Sequence, residues 1–342
     1  MNPEIRQKIE KVLQSQNYDL RDEAPSARVR IEQELSGLGP VDALLSDEEI
    51  TEILVNSTNT IFFEKNGQLL QLEDSFFSAN SYSAALDRLA QSCGTYFNRE
   101  KPFIEAQFEN LRISMVFGEI ARGENILSIR RQPSVSRTLE EFVKIGSCSP
   151  AQFALLHEIF SMRRNFLVTG GTSSGKTSLL QALLNRAGSL ERLVIIEDTR
   201  ELRLQNECSL SLLTREDPAR QVPDVNLNDL LKRALRLRPD RLVVGEIRGG
   251  EATALLLALS AGHEGSCGSL HARSAAEALL RLEMLIQMGA PQWNLHSVRR
   301  LIALSIKNII VLEKSNGKRR LQGIYEIVSH EESGLTLQKL DE

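Results

Sequence analysis

Residues 170 to 178 read GGTSSGKTS and follow the apolar run NFLV at 165 to 168. Gly170 and Gly175 with four residues between them, then Lys176 and Thr177, fit the spacing G-x-x-x-x-G-K-[ST], a turn whose backbone N–H groups point inward at a polyphosphate. Gly171, Thr172, Ser173 and Ser174 make the middle of this cradle, and Ser178 carries it into a helix. Lys176 is expected to reach the β and γ phosphates as a compact charge. Thr177 is expected to give its hydroxyl to Mg²⁺, and the helix beginning near Lys176 adds its positive N-terminal end. The flanks suit this reading: Asn165 to Thr169 has the pattern of a buried strand, and TSLLQALL at 177 to 184 that of a helix packed on a sheet.

The 342 residues, 42% hydrophobic and 25% charged, leave room for two domains around the loop. A net charge of -4 argues against a dedicated nucleic-acid binder. With 5% aromatic residues the chain also has no aromatic-and-basic stretch to grip a strand, so no direct nucleic-acid contact is expected. The start, MNPEIRQKIEKVLQSQ, has no apolar signal core, and ATALLLALSAG at 252 to 262 is too short to span a bilayer. A cytoplasmic protein with no transmembrane segment is therefore expected. Cys93, Cys148, Cys208 and Cys267 are isolated and suggest neither a zinc knuckle nor a disulfide framework.

Residues 1 to 36 are polar and helix-prone and read as a loosely attached helical leader. From Gly37 to residue 132 the pattern is that of a small α+β domain. Ser46-Asp-Glu-Glu49 has the form of a capping box opening a short helix, and TIFFEKNGQLLQLE at 60 to 73 that of a hairpin turning at Asn66-Gly67. A helix at about 81 to 92 follows, then the alternating strands LRISMVF at 111 to 117 and ILSIRRQ at 126 to 132. Residues 133 to 147 are the expected linker, part of it helical because Thr138-Leu-Glu-Glu141 reads as a second capping box. The domain from 148 to 342 opens with Ser149-Pro150, an N-cap and first-turn pair, and alternates helix and strand like a parallel sheet covered on both faces.

Three further stretches of this domain carry candidate chemistry. RLVIIEDTREL at 192 to 202 is a hydrophobic strand with Glu197 and Asp198 at its carboxyl end, where open α/β sheets bind ligands; an acidic pair there also serves as a loop or helix cap. RPDRLVVGEIRGGEA at 238 to 252 is a second buried strand ending in Gly245-Glu246. Glu246 is placed to hold a Mg²⁺ water or the attacking water, with Asp198 a secondary metal candidate beside Thr177. SAGHEGSCGSLHARS at 260 to 274 sets His263 and His271 in a small-residue loop, and an imidazole there is expected to donate to a phosphate oxygen or to Glu246. The helix opened by Ser274 buries Leu279, Leu282, Leu285 and Ile286 and reads as core.

The order GGTSSGKTS, IIEDTREL, LRLRPDRLVVGEIRGGEA, AGHEGSCGSLHARS resembles the type II and type IV secretion, or traffic, ATPase superfamily, in whose terms these are the Walker A loop, Asp box, Walker B strand and His box. GLGPVDALLSDEEITEILVNSTNTIFFEKNGQL at 37 to 69 and LSIRRQP at 127 to 133 resemble its CpaF/TadA-like pilus-assembly branch. The four-cysteine zinc insert of the type II secretion relatives is absent. The resemblance implies a RecA-like P-loop ATPase domain with a smaller N-terminal α+β, PAS-like domain, ATP and Mg²⁺ as ligands, and a homohexamer. It further implies a peripheral position at the inner membrane and a membrane-embedded platform protein as partner.

Phosphoryl transfer needs positive charge on the γ-phosphate beyond Lys176 and Mg²⁺. The family draws arginines from the N-terminal domain for this, and the matching positions are Arg112 and Arg130, with Arg131 and Arg122 as secondary candidates. The cluster Arg233, Arg236, Arg238 and Arg241 fits either a neighbouring subunit or a solvated helix face. The expected activity is ATP hydrolysis by Glu246, assisted by Glu197, powering a Tad-like pilus or a related secretion machine; a conjugative or type IV secretion transfer ATPase is the alternative. A nucleic-acid motor, a non-hydrolysing ring and a small-molecule kinase fit these residues less well.

Overall fold

A computed structural model describes residues 25–131, 137–204, 206–215, 222–315, 317–331 and 334–341. The chain forms two compact units, Met1–Ser134 and Val135–Glu342.

In the first unit, α1 (Pro25–Ser36) and α2 (Pro40–Leu45) precede the strands β1 (Ile50–Ser57), β2 (Thr60–Lys65) and β3 (Gln68–Gln71). Then come α3 (Ala79–Ser92), β4 (Phe103–Phe108), β5 (Leu111–Val116) and β6 (Ile126–Arg131). The strands pair antiparallel in the order β3-β2-β1-β6-β5-β4. One face packs on α3, so that Ile53, Val55, Ile113 and Leu127 share a core with Tyr82, Leu86 and Leu89. The hairpin turns at Asn66 and Gly67, with φ of 54° and 77°, as a type I′ turn requires.

Two expectations are corrected in this unit. Residues 25–36 of the leader are docked, not loose. Ile31 is buried against Phe77, Arg30 Nε donates to Asp74 at 2.9 Å, and the enclosed Glu34 carboxylate accepts from the Phe77 amide at 2.9 Å and from the Ser81 hydroxyl. Residues 1–24 lie outside the described part. Ser46 opens no helix; it closes α2, donating its hydroxyl to the Asp42 carbonyl at 2.9 Å. The helix starts earlier because Pro40 pre-sets its first turn, and ITEILV from Ile50 pairs as a strand instead.

The second unit begins with α4 (Leu139–Lys144) and α5 (Pro150–Ser161), each opened by the expected capping box at Thr138 and Ser149. It continues as β7 (Phe166–Gly170), α6 (Lys176–Leu184), β8 (Leu193–Glu197), β9 (Leu210–Leu213), α7 (Leu227–Ala234), β10 (Arg241–Val244), α8 (Glu251–Ser260) and β11 (Cys267–Leu270). The chain closes with α9 (Ala275–Gly289), α10 (Leu295–Ser305), β12 (Asn308–Ser315), β13 (Lys318–Glu331) and β14 (Gly334–Lys339). The sheet order is β14-β13-β12-β7-β11-β10-β8-β9, parallel from β12 to β9 and antiparallel through β13 and β14. Helices α7 to α10 cover one face and α4 to α6 the other. Being covered twice explains why β7, β8, β10 and β11 are buried along their whole length.

Of the expected linker, 133–136 lie outside the described residues, and 139–144 are helix α4 of the second unit. Leu139 and Phe142, spaced to share one helical face, are buried in its core. Because the strands are parallel, β7, β8, β10 and β11 end at one edge of the sheet, which sets Gly170, Glu197, Gly245 and His271 side by side.

Candidate active site

The loop after β7 narrows onto α6 through two left-handed residues, Ser173 at φ 57° and Gly175 at φ 98°, the second a conformation that favours glycine. This turn sends the backbone around a concave path. Lys176, nearly buried, folds back over it and donates from Nζ to the carbonyl oxygens of Gly170 at 3.0 Å and Gly171 at 3.1 Å. The Ser174 hydroxyl is buried with no hydrogen-bond partner among the described residues. A buried polar group left so is costly unless something completes it, and an anion in the cradle would. Thr172 is exposed at the rim, and Ser178 lies in the first turn of α6. The Thr177 hydroxyl donates to Glu201 Oε2 at 2.8 Å.

The acids divide by burial. Glu197 is 3% exposed; its Oε1 accepts from the amides of Glu201 at 3.1 Å and Leu202 at 3.0 Å, while Oε2 has no hydrogen-bond partner among the described residues. Burial pushes its carboxyl up to about 7, against the smaller opposing effect of the two amides. Gly245 makes room for it, since a β-carbon there would lie 2.8 Å from Glu197 Cγ. Glu197 thus holds the turn that presents Glu201 to Thr177.

Glu246 lies at the open end of β10. Its Oε1 receives His271 Nε2 at 2.8 Å, and its Oε2 is gripped by Arg248 through Nε at 2.8 Å and through Nη2. Arg248 also approaches Asp198, with Nη1 3.7 Å from Oδ2. Burial, followed by the nearby Lys176 charge, lowers the His271 pKa from its ordinary value, which keeps the ring neutral at pH 7. A neutral ring donates from Nε2 to Glu246, and Lys176 Nζ rests against the same ring, 3.4 Å from Nδ1 and 3.5 Å from Nε2; the tautomer is assigned from the Glu246 partner. Ser269 Oγ donates to the Gly245 carbonyl at 2.6 Å and Thr169 Oγ1 to that of Ala272 at 3.0 Å, which ties the three strand ends together.

Within the second unit, several expected residues are not in this constellation. His263 is corrected: its Nδ1 faces the Ala258 carbonyl at 3.0 Å in the turn after α8, at the amino edge of the sheet, because a helix returning from the carboxyl edge must end at the opposite one. Arg241 is buried, 3% exposed, and so faces no neighbour; Arg233, Arg236 and Arg238 are exposed. In the first unit, Arg131 is taken up by the carbonyl oxygens of Ile50 at 3.1 Å and Leu45 at 2.5 Å, and Arg122 lies exposed in a turn. Arg112 and Arg130 are directly opposed on β5 and β6, with Glu105 3.7 Å from the first and Glu52 opposite the second.

Sequence reasoning missed Glu201, Arg248 and Arg319. Glu201 has a signal, since it follows Glu197 by four residues within one turn. Arg248, two residues after Glu246, has a weaker one. Arg319, whose Nε donates to the Ser173 carbonyl at 3.0 Å, has none, because 146 residues separate the two.

The family model described as "Type II/IV secretion system protein" matches residues 34–322. A putative conjugal transfer protein of Mycobacterium tuberculosis is 32% identical over 315 residues, 89% of each chain. The conjugal transfer protein TrbB of Rhizobium radiobacter is 30% identical over 293 residues, 83% of this chain and 85% of that one. Among solved structures, the pilus retraction motor PilT with bound ADP aligns at a TM-score of 0.60 and 20% identity, over 83% of this chain and 80% of that one. The Legionella pneumophila ATPase DotB aligns at 0.59 and 18%, over 82% and 78%. These likenesses of fold extend across the P-loop unit and the smaller unit before it, as the RecA-like α/β reading expects. With the four motifs gathered at one sheet edge and the family model covering both units, the chain belongs to the type II/IV secretion system ATPase family.

Proposed function

We propose that the chain hydrolyses ATP with Mg²⁺ and, as a homohexamer at the cytoplasmic face of the inner membrane, drives a transfer machine through a membrane-embedded platform protein. The observation that carries this reading is the run of contacts from Lys176 through His271 to Glu246, which links the residue that meets the phosphates to a carboxylate suited to a water. The orphaned Ser174 hydroxyl and the Thr177–Glu201 pair fit a metal-bound phosphate in the loop.

Bound Mg²⁺ with ATP supplies a γ-phosphorus open to in-line attack. Residues 170 to 178 would hold the phosphates, and the Thr177 hydroxyl, paired with Glu201 here, would be a ligand of the metal. Asp198 takes Arg248, which frees Glu246 to orient the attacking water while His271 keeps that carboxylate in place. Glu197 stays a positioning residue. Arg112 and Arg130, the positions to which the family resemblance points, are the residues assigned here as the second cation. Conjugal transfer is the machine the named relatives support, and the family model's description fits type IV secretion transfer. Assembly of a Tad-like pilus is the second reading, supported by the residues at 37 to 69 and 127 to 133.

Glu246→Gln keeps the shape and removes the charge, so the variant should bind ATP yet turn over slower by about two orders of magnitude or more. Turnover near wild type would remove Glu246 from the role. Light scattering on the same samples should find a ring, and a fully active monomer would contradict the assembly.

A further inference from the structure

The β12–β13 hairpin contributes nothing to the chemistry above, yet it lies beside it. Leu312 pairs with Gly170, the last residue of β7, so Glu313, Lys314 and Ser315 run on past the sheet's carboxyl edge, along the phosphate loop. The returning strand brings Arg319 onto that loop. Its Nε donates to the Ser173 carbonyl at 3.0 Å, and its Cδ lies 3.5 Å from where a β-carbon on Gly175 would be. The backbone there is fixed, with Ser147 Oγ donating to the Arg319 carbonyl at 2.9 Å and the Leu321 amide donating to that of Ser147 at 2.7 Å.

Two features say that this arginine is not simply a loop clamp. A guanidinium carries five N–H donors in a planar fork, and Ser173 takes one of them. Lys314 is the direct cross-strand partner of Arg319, and both are exposed. Two like charges opposite one another cost stability in an antiparallel pair, a cost that an anion beside them removes. The sheet order then decides which part of the anion is nearest. β12 flanks β7 on one side, and β11 with His271 and then β10 with Glu246 lie on the other. A nucleotide whose γ-phosphate faces Glu246 therefore has its opposite end on the flank of Arg319.

We propose that Arg319 binds the nucleotide at its α-phosphate, anchored through Nε on Ser173 and donating from the rest of its fork. This rests on the reading that the loop holds ATP with Mg²⁺. The contact is common to ATP and ADP and blind to the γ-phosphate, so it sets affinity for the nucleotide in both states of the cycle.

The test is titration calorimetry of the full chain and its Arg319→Ala variant with ADP, a non-hydrolysable ATP analogue and pyrophosphate, each with Mg²⁺. The exposed position leaves the fold intact, which a thermal melt without ligand checks. The variant should lose about tenfold in affinity for both nucleotides alike, the size of one charge-assisted hydrogen bond, and keep its pyrophosphate affinity. Equal loss for pyrophosphate would make Arg319 a loop anchor, loss for the ATP analogue alone would move it to the γ-phosphate, and no loss would remove it from the site; each overturns the proposal. If the wild-type chain binds neither nucleotide, the ATPase reading itself fails, an outcome distinct from these three.

Discussion

The two edges of the eight-stranded sheet are built from the same strands and differ in how they treat buried polar groups. At the amino edge, Arg241 lies 4.0 Å over the Phe160 ring and donates to Glu191 at 2.8 Å and to the carbonyl oxygens of Gly265 and Phe160 at 3.2 and 3.1 Å. Asn165 spends both ends of its amide there, donating to the Ser305 carbonyl at 2.8 Å and accepting from the Ser266 amide at 2.9 Å. Ser305 Oγ and Asn308 Oδ1 are exceptions. At the carboxyl edge the unmet groups are the Ser174 hydroxyl in the loop and Glu197 Oε2 behind it, while Glu246 is occupied by its own neighbours Arg248 and His271. Both edges keep two such atoms among the described residues, and what differs is where they lie. At the carboxyl edge they lie in and behind a loop where strand carboxyl ends and a helix N-terminus together favour an anion.

This contrast can be broken most sharply at Arg241. Arg241→Ala leaves Glu191 short of a partner and two carbonyl oxygens without their donor, and should cost about 3–5 kcal/mol of stability in urea unfolding. The nucleotide affinity of the folded fraction should stay as in wild type; a selective loss of affinity would mean that the amino edge is not merely structural.

Glu197→Gln probes the other edge with a smaller, pH-dependent effect. Burial pushes the folded carboxyl up to about 7 from its ordinary 4.5, so the folded state holds its proton more tightly than the unfolded one. The corresponding stability is fully present below about pH 4.5 and is lost as the pH rises through 7. Glutamine keeps the acceptor for the Glu201 and Leu202 amides and carries no charge. Relative to wild type the variant should therefore gain stability between pH 5 and 8, by up to about 3 kcal/mol. A difference in unfolding free energy that does not change with pH would show that Glu197 is not held as a buried acid.

The sequence alone determined what depends on residues near one another along the chain. The phosphate loop is a local turn between its own strand and helix. Thr138 and Ser149 cap helices through contacts three residues ahead, and the apolar runs at β7, β8 and β10 declare strands covered on both faces. Parallel strands then bring Glu197, Glu246 and His271 to one edge without further information. Where local signals competed, the reading at Ser46 went astray, because a capping pattern says nothing of the strand partner waiting for Ile50. Only the tertiary structure decided which neighbours each charged group would find. It sent His263 to the far edge, buried Arg241 under Phe160, gave Thr177 to Glu201 and set Arg319 against a loop 146 residues earlier. The reason is that a side chain's charge and hydrogen-bonding capacity are fixed by its identity, whereas its partner is fixed by which strand ends the sheet order places together.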